Sequence, residues 1–382
     1  MSKSKRRICI FCQTWESGGI ESFINSVLAH MDLDSLEIDV VLEQEKNSVF
    51  TIALKKLGVH FHVLSGSTHN IFSHWFSFSA LLCKRKYDLI HLHLYQAVPL
   101  CYLLLAKKKG IPIRIAHSHN TMLRESSFKG LKLYIHRIFR RFFTKYATNL
   151  WACSSMAAKF MFYHRDLQER KYCFIPNAID LKRFQKNQEI RIRKREQLHL
   201  QNCFVLGHVG RLCSQKNQIF ILQIFFYFHQ MYKNSRLLLV GDGEELNRLK
   251  QKSKELGISS SVIFYGTSSH VEQLLWAMDF FVFPSLFEGL GISAIEAQAA
   301  GLPVICSDQI PSEAMVTSLI QRLSLNLSAE EWAKKIIKFK SNSNSESDSI
   351  NMLKNAGYEI KDLGKWVEKV YRGEYKRDKE NM

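Results

Sequence analysis

Glu288 and Glu296 lie eight positions apart in the stretch Phe283-Pro-Ser-Leu-Phe-Glu-Gly-Leu-Gly-Ile-Ser-Ala-Ile-Glu296, a spacing suited to capturing hydroxyl groups beside an anion. An apolar, strand-like run ends at Phe283, a loop carries Glu288, Gly289, Leu290 and Gly291, and a helical pattern opens near Ile292 and closes at Gly301 ahead of Pro303. Glycines let the backbone approach a ligand closely, and the free N–H groups of a helix's first turn make an anion site suited to a diphosphate. Two carboxylates there are acceptors for hydroxyls, one set on a transferred sugar and one on a ribose diol. A surface acid plus a capping acid is the weaker alternative.

Other residues of the right chemistry also follow apolar runs. Arg211 and Lys216 come just after Phe204–Val209 and are candidate ligands for an anion, although most such cations are simply solvated. Gly18 and Gly19 precede a helical pattern opening at Ile20, a second place where backbone can approach phosphate. His117 and His119 are two apart at the end of a strand-like run, and His91 and His93 repeat that spacing on another. For the first pair, a continuing strand would put both rings on one face, whereas a turn after it would present them to the cleft; for the second, packed core histidines and acceptor contact stand level. Gly241 and Gly243 fit either nucleotide contact or pure turn chemistry. Asn177 and Asp180 are read as shaping a hinge.

These positions need a scaffold that sets them at strand ends. Strand-like runs read 7–12, 38–42, 59–64, 89–94, 111–116, 150–153 and 173–176, then 204–209, 237–240, 262–265, 280–283 and 304–306, with helical patterns between. Strand and helix in alternation imply right-handed β-α-β units, hence an α/β chain of two doubly wound parallel-sheet domains. A linker is expected near 178–202, with domains at 1–185 and 186–360 and a closing helix in 361–382 that packs back toward the first domain. Ser341–Ser349 reads as a surface loop. Ligands of such sheets bind at the carboxyl ends of the strands, and two facing sheets would form an interdomain cleft.

Composition narrows the classes. With 382 residues, 46% hydrophobic and 23% charged, the chain is globular and of two-domain size. No apolar run reaches the roughly 18 residues of a membrane span, and the first apolar stretch is too short for a secretory signal, so a cytosolic location is expected. The nine scattered cysteines read as reduced, buried thiols; Cys9 and Cys12 lack the second pair that a metal site needs. Residues 1–186 hold 28 Lys+Arg against 13 Asp+Glu, whereas 187–382 hold 25 against 22, so the first half calls for an anionic partner.

Taken in order, Gly18-Gly-Ile-Glu21, Ala116-His-Ser-His-Asn120, Cys153-Ser154, Ile175-Pro-Asn-Ala-Ile-Asp180, Val209-Gly-Arg-Leu212 with Gln215-Lys-Asn217, Val240-Gly-Asp-Gly-Glu244 and the Glu288…Glu296 frame resemble glycosyltransferase family 4, including its exopolysaccharide and capsule enzymes, over nearly the whole chain. The resemblance implies two Rossmann-like domains in the GT-B arrangement, a retaining, metal-independent sugar transfer, and a nucleotide diphosphate sugar, UDP- or GDP-linked, as donor without any cofactor. It implies that Arg211 and Lys216 grip the diphosphate, Glu288 holds the sugar and Glu296 the ribose, and that a histidine at 117 or 119, with His119 favoured, touches the sugar. The physics agrees, since positioned cations stabilise the charge gathering on a leaving nucleotide diphosphate. With no dedicated nucleophile in view, a front-face displacement is expected; a glycosidase-like use of Glu288 and Glu296, with carboxyls about 5 Å apart, is the weaker account.

The expected acceptor is a lipid-linked saccharide at the inner membrane face, in surface polysaccharide synthesis. Segment 129–146 supports membrane contact, carrying Leu131, Ile135, Ile138 and Phe142 on one stripe among Lys129, Lys132, Arg137, Arg140, Arg141 and Lys145, unless that stripe packs on the first sheet instead. A nucleotide-sugar epimerase or hydrolase is the alternative enzyme. Nucleic-acid binding is disfavoured, because no helix-turn-helix, zinc or stacking-sheet signature accompanies the charge.

Overall fold

The computed structural model describes residues 5–15, 18–45, 48, 50–66, 71–123, 129–342 and 348–374. It divides into two compact units, Met1–Ile179 with Glu359–Met382, and Asp180–Tyr358. Each is built on one parallel sheet.

In the first unit the strands are β1 (Arg6–Trp15), β2 (Leu36–Glu45), β3 (His60–Val63), β4 (Leu89–Leu94), β5 (Ile113–Ser118), β6 (Asn149–Ala152) and β7 (Cys173–Phe174), in the order β3-β2-β1-β4-β5-β6-β7. β1 shows why the sequence folds this way. Its Ile8, Ile10 and Cys12 face a core shared with Phe23, Val27, Val367 and Tyr371, while Phe11 on the other face meets Tyr102 and Phe78 at ring distances of 5.0 and 6.1 Å. A strand covered on both faces must be apolar on both, as its unbroken run Ile8-Cys-Ile-Phe-Cys12 is. Helix Ile360–Arg372 returns to this unit. Its Leu363, Val367 and Val370 enter the same core, and Gly364 lets it approach closely, since a Cβ there would stand 2.9 Å from the Cβ of His30. Arg372 closes the contact on Asp32 at 2.6 Å.

In the second unit β8 (Phe204–Val209), β9 (Ser235–Val240), β10 (Val262–Gly266), β11 (Phe280–Phe283), β12 (Val304–Ser307) and β13 (Ile320–Leu323) lie in the order β10-β9-β8-β11-β12-β13. Helix Gln218–Met231 buries Ile221, Leu222, Ile224, Phe225 and Phe228 against that sheet.

Four expectations are corrected. The stretch read as a linker forms helices Leu181–Phe184 and Gln188–Gln197, and the second is tied to its sheet by Arg191 and Arg195, whose guanidinium groups hold Asp279 at 2.5 and 3.0 Å. β13 had no counterpart in the sequence reading. The expected loop at 341–349 is shorter than drawn, because helix Ala329–Asn342 runs into it and another helix begins at Ser349; residues 343–347 lie outside the described residues. All nine cysteines are free thiols, but contrary to expectation only Cys9, Cys12, Cys101, Cys153 and Cys306 are buried and Cys83 is exposed; burial holds Cys9 and Cys12 protonated. Among the described residues no helix is long and apolar enough to cross a membrane.

Candidate active site

In each sheet the strand order reverses once, between β1 and β4 and between β8 and β11, and at such a switch point the loops leaving neighbouring strands part and open a crevice. The expected donor residues lie on the loops that leave β8 and β11. After β8 the chain passes Gly210 and Arg211, makes the short turn Ser214–Lys216, and enters helix Gln218–Met231 through Asn217 in a left-handed conformation (φ 56°). After β11 it passes Pro284 to Leu290 and enters helix Ile292–Ala299 through Gly291 (φ 94°).

The two loops are sewn together. The Leu286 N–H donates to the Gln215 carbonyl at 2.8 Å, Gln215 Nε2 to the Phe287 carbonyl at 2.9 Å, and Asn217 Nδ2 to the Pro284 carbonyl at 3.2 Å. Lys216 Nζ reaches Glu288 Oε1 at 2.6 Å and lies 5.0 Å from the centre of the Phe283 ring. Both partners of that ion pair are largely shielded, with side chains 17% and 8% exposed. A cation and a carboxylate are thus fixed side by side at the mouth of the strands, next to the N-terminus of the helix that follows Gly291. Leu290 is buried, so it can offer only its backbone.

Glu296 stands on that helix, half-buried, and its carboxyl is pushed up to about 7. Burial is the main cause; Arg183 pulls the value down, Glu272 pushes it up, and Lys216 pulls it down. Lys216 therefore sits within the field of both glutamates. Arg211 shares the loop, but its exposed guanidinium is held by Glu244 at 3.1 Å. Gly241 has a packing reason of its own: with φ 134°, a Cβ there would stand 2.0 Å from the Gly210 carbonyl oxygen. Gln215, Arg183 and Glu272 received no role in the sequence reading. Gln215 adjoins Lys216 in a motif already singled out, whereas Arg183 and Glu272, 2.7 Å apart, meet only through the fold.

In the first unit, Gly18 caps helix Gly19–Leu28, and a Cβ on it would stand 2.7 Å from Glu21 Oε2, so the buried Glu21 carboxylate occupies this helix N-terminus. The histidines of β4 and of the end of β5 gather on one face of the sheet. His91 bonds Tyr371 Oη at 2.8 Å and His117 at 3.2 Å, and His93 Nδ1 bonds His119 Nε2 at 2.9 Å. Burial holds His91, His93 and His117 well below the usual histidine range and His119 at about 3, so all are neutral rings. His117 is fully enclosed, while His119, just past the strand, is 9% exposed.

The same division of the chain recurs in comparisons with known proteins. The model described as "Glycosyltransferase Family 4" matches residues 17–183, and that described as "Glycosyl transferases group 1" matches residues 190–359. The chain is 28% identical over 341 residues to the putative glycosyltransferase EpsF of Bacillus subtilis (strain 168), covering 88% of each protein. It is 29% identical over 232 residues to the Escherichia coli UDP-Gal:alpha-D-GlcNAc-diphosphoundecaprenol alpha-1,3-galactosyltransferase, covering 60% of this chain and 59% of that one. Among solved structures, Anabaena Alr3699/HepE in complex with UDP matches with a TM-score of 0.77 at 18% identity, over 96% of this chain and 100% of the other.

Proposed function

Because the chain belongs to glycosyltransferase family 4, we propose that it moves a hexose from a UDP-sugar to a lipid-linked saccharide, with retention of configuration and without a metal or other cofactor, in the synthesis of a surface polysaccharide. The observation that carries the donor half of this reading is the Lys216–Glu288 pair, locked by Gln215 at the carboxyl ends of β8 and β11 within reach of Glu296. Lys216, with Arg211 on the same loop and the helix N-terminus beyond Gly291, provides the positive field that a departing diphosphate needs. Glu288 accepts hydrogen bonds from sugar hydroxyls and Glu296 from the ribose diol. The leaving phosphate oxygen takes the proton of the incoming hydroxyl in a front-face displacement. A UDP donor and a diphosphoundecaprenol-linked acceptor are supported by likeness to the Escherichia coli galactosyltransferase, and UDP also by likeness to the Anabaena structure.

The acceptor's lipid places the enzyme at the inner face of the cell membrane, and helix Lys129–Phe143 supports peripheral contact there. It turns His136 and Arg140 inward onto the Phe160 carbonyl at 2.9 and 3.0 Å, and leaves Leu131 and Phe142 59% and 54% exposed beside the outward cations Lys132, Arg137 and Arg141. An outward face of apolar and basic residues suits an anionic lipid surface.

The test is thermal unfolding of the full chain with UDP-glucose, UDP-galactose, UDP-GlcNAc and GDP-mannose. A true donor at a hundred times its dissociation constant adds about 2.7 kcal/mol of stability. Stabilisation by none of them, or stabilisation that persists in Lys216→Met, removes the proposed site.

A further inference from the structure

Polar side chains on strands covered on both faces need a reason, and β1 and β2 each carry one near the carboxyl end. Alternate residues of a strand share a face. On β1 the fully buried Phe11 is followed on its face by Gln13, 5% exposed, and on β2 the fully buried Val41 is followed by Glu43. Packing alone asks for further apolar residues there, and taking a carboxylate out of water costs free energy that only good partners offset.

Glu43 has partners, but among the described residues no lysine or arginine is one of them. Tyr102, which opens helix Tyr102–Lys108, donates its Oη to Glu43 Oε1 at 2.8 Å, and Gln13 Nε2 donates to Oε2 at 3.0 Å. Burial, with Glu43 beside it, holds the Tyr102 phenol well above its usual range, so the hydroxyl keeps its proton. His74, on helix Ile71–Lys84, brings Nδ1 to 3.9 Å from Oε2, beyond hydrogen-bond reach. A carboxylate accepts and cannot donate, so the nitrogen of the Gln13 amide has to face it and the amide oxygen turns the other way. That oxygen, Oε1, is buried without a hydrogen bond, and so is His74 Nε2. Both unpartnered atoms thus belong to groups that turn a nitrogen toward the same oxygen of Glu43. Buried polar atoms left in this state are rare in folded proteins and call for a further partner.

The oxygens of Glu43 have lone pairs to spare, and its side chain, 14% exposed, is where the cluster opens to solvent. The cluster is rich in acceptors, anionic, and set at the strand ends where ligands of parallel sheets bind. What suits it brings several protons and no negative charge, as neighbouring sugar hydroxyls do, whereas a phosphate or a uronic acid is repelled. It lies wholly in the first unit; Lys216, Glu288 and Glu296, the proposed donor residues, lie in the second.

We infer that Glu43 and Gln13 Oε1, with His74 Nε2, bind hydroxyls of an uncharged sugar unit of the acceptor, and that the Glu43 charge selects against anionic sugars. The inference rests on the glycosyltransferase reading above and names an acceptor class for it.

Saturation-transfer NMR of the full chain in excess UDP, with the methyl glycosides of glucose, galactose, GlcNAc and GalNAc and with methyl glucuronide, is the test. At least one neutral glycoside binds the wild type about tenfold or more tighter than the glucuronide. Gln13→Met removes the amide and weakens that glycoside about tenfold. Glu43→Gln keeps the shape and removes the charge, so it narrows the preference over the glucuronide several-fold, a change of ratio that lost packing does not produce; it decides alone if Gln13→Met fails to fold. Binding of no neutral glycoside, binding unchanged in both variants, or a preference that Glu43→Gln leaves as it was overturns the subsite. Calorimetric titration with UDP-glucose, UDP-galactose and UDP-GlcNAc judges the donor reading separately. UDP-sugars that bind beside a failed glycoside test leave that reading standing; glycosides held through Glu43 by a chain that binds no UDP-sugar sustain the sugar site and overturn its place in glycosyl transfer.

Discussion

Replacing Lys216 with methionine tests whether the donor site is the rigid, charged unit described above. The substitution keeps most of the apolar stem of the side chain while removing the ammonium that sits 2.6 Å from Glu288 and 5.0 Å from the centre of the Phe283 ring. Glu288 would be left as a carboxylate with an 8% exposed side chain, still touched by Gln215 Nε2 at 3.5 Å but with its cation gone. Breaking a buried pair from one side costs about 3–5 kcal/mol, and with the Gln215 contact retained the lower end applies, about 3 kcal/mol. Glu288→Gln is the milder change, about 1 kcal/mol, since the flexible Lys216 can turn its ammonium to water. The double variant should cost less than the sum by about 1–2 kcal/mol, the coupling expected for side chains in direct contact. Amide hydrogen exchange in helix Gln218–Met231 is the suitable assay, because it reports the second unit alone. Equal costs for the two single variants, or a coupling below about 0.3 kcal/mol, would refute the picture of a shielded pair and leave Lys216 as a solvated surface cation.

Two further outcomes follow from the same geometry. The Glu296 carboxyl, held at about 7 chiefly by burial, is higher in the folded chain than in the unfolded one, so the folded state binds the extra proton and stability falls as pH rises from the unfolded carboxylate pKa through about 7. Glu296→Gln should therefore gain about 1–2 kcal/mol on the wild type at pH 8 and nothing at pH 4, while losing UDP affinity; identical pH–stability curves for the two proteins would contradict this. At the membrane, Leu131→Ser with Phe142→Ser should lower the fraction of protein floating with vesicles of anionic phospholipid several-fold without changing turnover of a water-soluble acceptor, and unchanged flotation would assign that face another role.

How much of this was legible in the sequence differs from element to element. β4, β8 and β11 coincide end to end with their apolar runs, because both faces of these strands are buried almost throughout, the histidines of β4 and β8 included. β13 escaped for the opposite reason: Ile320-Gln-Arg-Leu323 is an edge strand whose middle residues face solvent. Helix Gln188–Gln197 escaped because it attaches through cations: Arg195, nearly buried, donates to Asp279 and to the carbonyls of Ala277, Leu200 and Cys203. Nothing in an Arg-rich, polar run announces that it packs. Helix Lys129–Phe143 was visible as amphipathic, but which side faced inward was not, since its inward residues are His136 and Arg140 and its outward ones include Leu131 and Phe142.

Residue type, order and spacing were enough to determine the class of the chain, two parallel α/β sheets with chemistry at their strand ends, because the two-sided burial of parallel strands and the glycines at loop-to-helix junctions are local demands written into consecutive residues. Which side chains meet was decided by the tertiary structure alone. Lys216 and Glu288 are joined because β8 and β11, distant in sequence, are neighbours at the point where the strand order reverses. The same long-range pairing set His93 on His119, gave Arg211 to Glu244, and laid Asn177 beside the His119 imidazole. Each of these is a contact between segments that only strand pairing brings together, and the energy that selects it is spread over the whole sheet rather than encoded at either residue.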